Sequence, residues 1–72
     1  MQELDLSGLK CPLPVLRTQK ALTGLETGDQ ITVVTTDPLA TLDLPHFCAE
    51  KGHRLLSQET TGEKVHFIIE KG

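Results

Sequence analysis

The chain has 72 residues, with ten acidic and seven basic side chains, a formal net charge of −3 and a pI near 5.4. An acidic chain whose only aromatics are Phe47 and Phe67 lacks the cationic field and the stacking platforms of a nucleic-acid binder. Direct nucleic-acid binding is therefore not expected, and because no apolar run approaches the roughly 18 residues of a membrane span, neither is membrane insertion.

One domain over residues 1–72 is expected, with an aliphatic core and a stability of roughly 4 to 10 kcal/mol. The first residues lack the basic and apolar regions of a signal peptide, so a cytoplasmic location is expected, with Cys11 and Cys48 reduced. No metal site is expected, because Cys11, Cys48, His46, His53 and His66 show no paired ligand spacing.

In chain order, Glu3-Leu4-Asp5-Leu6 alternates polar and apolar and predicts a short strand, with Ser7-Gly8 as its exit. Cys11-Pro12-Leu13-Pro14 follows. Proline fixes its own φ and biases the residue before it towards extended geometry, which predicts Cys11 and Leu13 outside a helix that Pro12 or Pro14 starts. The thiol then faces a helix N-terminus. Unpaired N–H groups of Leu13, Val15 or Leu16 and the positive end of the macrodipole would favour thiolate there. No acidic residue lies between Leu6 and Leu25, whereas Lys10, Arg17 and Lys20 do, so charge is expected to lower the Cys11 pKa as well.

From Pro14 to about Thr23, Val15, Thr18 and Leu22, with Leu25 beyond, form one helical stripe that Gly24 ends. Leu13 and Leu16 fall near Arg17 and Lys20 on the opposite side, which suggests an exposed docking surface beside the thiol. Gly28-Asp29 turns into a β-branched strand over 30–36, ended by Asp37-Pro38. Residues 39–42 read as a loop or a broken turn, Asp43 as the N-cap of a second helix with Pro45 in its first turn, and Gly52 as its stop. Two strands, 53–59 and 65–71, flank a hairpin turn at Thr61-Gly62, with Val65, Phe67 and Ile69 on one face.

The order βαβαββ with right-handed crossovers predicts a two-layer α/β (α+β) sandwich, both helices on one face of a four-stranded mixed sheet. The other face should meet water, with Thr32, Thr35 and Thr36 among its residues. Cys48 reads as a packing residue, His46 as a surface histidine, and Asp37 and Asp43 as strand-end and cap residues outside the chemistry.

Gly8-Leu9-Lys10-Cys11-Pro12-Leu13-Pro14, Asp37-Pro38 and Asp43-Leu44-Pro45-His46-Phe47-Cys48 together resemble the TusA/SirA sulfur-carrier family, over nearly the whole chain. The Cys-Pro-x-Pro motif is the specific part. The resemblance implies a fold like the C-terminal domain of translation initiation factor three. It also implies that Cys11 accepts a persulfide sulfur from a cysteine desulfurase or rhodanese-like donor and relays it to a downstream carrier protein. The destination would be tRNA 2-thiouridine synthesis, molybdenum-cofactor assembly or sulfur oxidation. Thr36 stands where members serving tRNA thiolation often have a second acid.

On this reading the protein is a monomeric persulfide sulfurtransferase that acts as a carrier rather than a stand-alone enzyme. It needs no resident cofactor beyond the transient persulfide. Pro12 and Pro14 would place the thiol, and Lys10, Leu13, Leu16, Arg17 and Lys20 would meet partners or stabilise anionic sulfur. The competing reading is a regulatory interaction module that carries no sulfur. A thiol reductase is disfavoured by the absence of Cys-x-x-Cys.

Overall fold

The computed structural model describes residues 2–72. Its elements are β1 (Gln2–Leu6), α1 (Leu13–Thr23), β2 (Gln30–Thr35), α2 (Ala40–Lys51), β3 (Arg54–Thr61) and β4 (Lys64–Glu70). They form the expected βαβαββ sandwich. The sheet order is β1-β2-β4-β3, with β1 parallel to β2 and both pairs involving β4 antiparallel. Two parallel strands, each followed by a helix, start both helices at the same end of the sheet. That end carries Cys11.

Period-two alternation sorts the sheet faces. In register, Ile31 sits beside Ile69, Val33 beside Phe67, and Thr35 between Leu6 and Val65. These side chains are buried and form the helix-facing layer, which Leu22, Ala40, Leu44, Phe47 and Cys48 complete. Thr35 therefore departs from the expected solvent face. Counting by twos from Ile31 places it in the core, where its hydroxyl, like that of Thr18 on α1, has no hydrogen-bond partner among the described residues.

The α1 stripe is offset from the expected one. Pro14, Thr18 and Leu22 are its buried line, while Val15 and Leu25 are half-buried beside it. Helix α2 differs more, because it begins at Ala40 rather than after Asp43. The Asp37 carbonyl accepts the Ala40 N–H at 3.0 Å, the Pro38 carbonyl accepts the Thr41 N–H at 3.2 Å, and buried Ala40 anchors this first turn. Residues 39–42 thus lead into helix instead of forming a loop. Asp43 lies in the first turn instead of capping it, and Pro45 falls inside the helix. Gly52 ends α2 with a left-handed φ of 80°, which glycine adopts without a Cβ penalty.

The C-terminal segment closes the opposite end of α1. Lys71 Nζ donates to the Leu22 carbonyl at 2.7 Å, placing a cation on the helix's last turn. Its backbone also bonds Gly28 and Asp29. Replacing Lys71 by methionine keeps the aliphatic stem and removes the ammonium. Urea denaturation should then show a loss of about 1 kcal/mol, and an unchanged midpoint would show that this cap adds nothing.

Candidate functional site

Parallel pairing of Leu6 with Thr35 brings the segments leaving β1 and β2 side by side. The first tie is Gly8 N–H to Thr36 Oγ1 at 2.8 Å, and the second is Cys11 N–H to Asp37 Oδ2 at 2.7 Å. The other Asp37 oxygen accepts the Leu39 N–H at 3.1 Å, so one carboxylate holds both the cysteine backbone and the entry to α2. Asp37 is a strand-end residue, as expected. It also positions the thiol, which the sequence reading missed.

Cys11 is exposed and Cys48 is buried, and both are free thiols. Helix α1 starts at Leu13, with Pro12 before it and Pro14 in its first turn, so Leu13 belongs to the helix rather than preceding it. The Leu13 N–H donates to the Lys10 carbonyl at 2.8 Å and the Leu16 N–H to the Pro12 carbonyl at 3.1 Å. Neither donor is available to the sulfur.

The thiol points to α2 instead. Cys11 Sγ donates to Asp43 Oδ2 at 3.3 Å. That bond, partial desolvation and the negative charges of Asp43 and then Asp37 raise the Cys11 pKa above its ordinary value. The expectation of a lowered pKa is thereby corrected. Lys10, Arg17 and Lys20 are exposed, and the charges that act on the sulfur are the two aspartates. Right-handed crossovers held the clue, since a residue in the first turn of α2 must face the start of α1 when both helices begin at one sheet end.

A groove of about 310 Å³ runs from Cys11 between the helices, floored by Pro12, Val15 and Phe47 and rimmed by Asp43, His46 and Lys51. His46 is on the surface, as expected, and pairs with Glu50 at 3.4 Å. A larger hollow of about 570 Å³ is bordered by Thr36, Asp37, Thr41, Thr60 and Glu63, and neither cysteine lines it. Leu13 and Leu16 are exposed, as expected, and so are Leu39 and Leu42 at the start of α2. These four exposed leucines lie at the first turns of the two helices, while a fifth, Leu56, lies on β3. Cys48, within α2, packs in the core, and burial pushes its thiol pKa up. Among the described residues no cluster suits a metal ion, and no helix is long and apolar enough to cross a membrane.

The geometry has parallels in known proteins. The family model described as Sulfurtransferase TusA matches residues 2–71. A sulfur carrier protein TusA from Allochromatium vinosum is 43% identical over 70 residues, covering 97% of this chain and 92% of that protein. The crystal structure of a SirA-like protein from Desulfitobacterium hafniense superposes with a TM-score of 0.86 at 29% identity, covering 100% of this chain and 99% of the other. Sequence and fold agree over the full span, and the chain belongs to the TusA sulfurtransferase family.

Proposed function

We propose that this chain is a sulfur carrier that holds sulfane sulfur as a persulfide on Cys11, taking it from a cysteine desulfurase or rhodanese-like donor and passing it to a downstream carrier. The observation that supports this most directly is the contrast between its thiols. Cys11 is exposed at the end where both helices begin, its backbone tied by Asp37, whereas Cys48 is enclosed by the core. A carrier needs a thiol that two partners can reach in turn.

In loading, Cys11 sulfur attacks the outer sulfur of the donor persulfide. The new S–S bond forms as the donor's S–S bond breaks, and the donor's inner sulfur leaves as a thiolate and takes up the proton from Cys11. Unloading repeats the step with a partner thiolate attacking the outer sulfur of Cys11. No net oxidation occurs, so one exposed cysteine suffices for both directions. Pro12 and Pro14 set the backbone on either side of Leu13. Leu13 and Leu16 offer apolar contact to a docking protein, and Lys10, Arg17 and Lys20 offer charge to its acidic patch. A monomer keeps the thiol open. The same outer sulfur would serve tRNA thiolation, molybdenum-cofactor assembly or sulfur oxidation.

Incubation with a cysteine desulfurase and cysteine, followed by peptide mass spectrometry, should add the mass of one sulfur atom to the peptide containing Cys11. Sulfur found only on the Cys48 peptide, or on neither, would overturn the proposal.

A further inference from the structure

The thiol's hydrogen-bond partner bears on which molecules it exchanges sulfur with. Asp43 is half-buried, and its Oδ2 lies 3.3 Å from Cys11 Sγ. Both Asp37 oxygens are engaged by backbone N–H groups, which offset part of that charge. Among the described residues Asp43 joins no ion pair, and nearby His46 is turned to Glu50. The other charged groups lining the groove are Glu50 and Lys51 on α2, both exposed, while Lys10 and Arg17, near Cys11 in sequence, are exposed and do not line it. The carboxylate beside the sulfur is thus left without a countercharge from its own chain.

We propose that Asp43 makes Cys11 selective for sulfur-exchange partners that bring a cationic group next to the reacting sulfur. The reading rests on Cys11 as the sulfur-bearing atom. Nucleophilic attack requires negative charge to build up on Sγ, and an ionised carboxylate in contact opposes it. A partner's ammonium or guanidinium at Asp43 removes that opposition, whereas a partner carboxylate or phosphate adds to it. The raised thiol pKa of the isolated chain agrees with this state of rest. Lys10, Arg17 and Lys20 would produce the reverse preference if they governed the thiol.

Charged disulfides separate the two cases. The purified chain is mixed at pH 7 and low ionic strength with cystamine, which carries two ammonium groups, or with dithiodipropionate, which carries two carboxylates. In the exchange, Cys11 sulfur attacks one disulfide sulfur, a mixed disulfide forms, and the other half leaves as a thiol with the displaced proton. The ratio of initial rates is compared with that of mercaptoethanol, which corrects for the reagents' intrinsic reactivities. We expect the protein to exceed the mercaptoethanol ratio by roughly fivefold, an excess that shrinks with added salt and is lost in Asp43→Asn. The same variant should react faster with neutral iodoacetamide at pH 7, with its alkylation midpoint moved to lower pH.

An unchanged ratio in Asp43→Asn, or a wild-type preference for the dianion, would overturn the proposal. If the variant does not fold, the salt dependence of the wild-type ratio decides, and an excess that survives high salt counts against it. Persulfide loading is read separately. A chain that loads sulfur without the preference refutes only the role of Asp43, and one that shows the preference without loading refutes carriage alone.

Discussion

A Cys11→Ser chain is expected to fold normally and to carry no sulfur, whereas Cys48→Ala should load as fully as the parent. Serine keeps the shape of the side chain at an exposed position and can still donate to Asp43, so the fold has no reason to change. Its hydroxyl, however, is not ionised near neutral pH and cannot make the S–S bond on which carriage depends. Cys48 presents the opposite case. Its sulfur fills space beside Leu44 and Phe47 in the core, and truncation should cost about 1 kcal/mol through lost packing without touching the transfer. Persulfide loading and urea denaturation on the same two variants separate the roles. Loss of loading in a folded Cys48→Ala chain would give the second thiol a place in the relay.

Replacing Phe67 by alanine should remove a large share of the protein's stability. The ring is fully buried in β4, in register with Val33 on one side and Gln58 on the other. Phe→Ala changes in cores cost about 3 to 5 kcal/mol, against the roughly 4 to 10 kcal/mol expected for a chain of this length. With only two aromatics, the core has no other side chain of that size to spread into the void except Phe47. The expected result is a large drop in the urea midpoint and a substantial unfolded fraction at 37 °C. Phe67→Leu should lose much less, because most of the volume is kept. A loss under about 1 kcal/mol for the alanine variant would mean that the void collapses and that the core does not depend on this ring.

Much of the layout was legible in local patterns. The Glu3–Leu6 alternation, the β-branched run after Gln30 and the Val65-Phe67-Ile69 face all match observed strands. Strand ends moved by a residue or two, as the 53–59 and 65–71 expectations did when they became Arg54–Thr61 and Lys64–Glu70. The residue type of Thr35 suggests a wetted surface, while its position in the alternation with Ile31 and Val33 commits it to the interior. At α2 the cap residue type points to Asp43, whereas the helix begins at Ala40, which packs into the core. Tertiary burial outweighed the cap signal, and Asp43 moved from helix boundary to first turn.

Cys11, its flanking prolines and the order of strands and helices are properties of neighbouring residues, and short-range conformational preferences and hydrophobic periodicity were enough to read them from the chain. The electrostatic setting of the thiol is of another kind. Lys10, Arg17 and Lys20 are close to Cys11 in sequence, yet the groups that set its proton affinity are Asp37 and Asp43, brought in from the far side of β2 when two parallel strands align their ends. Coulomb and hydrogen-bond energies depend on distance through space, and that distance came into being only with the folded sheet.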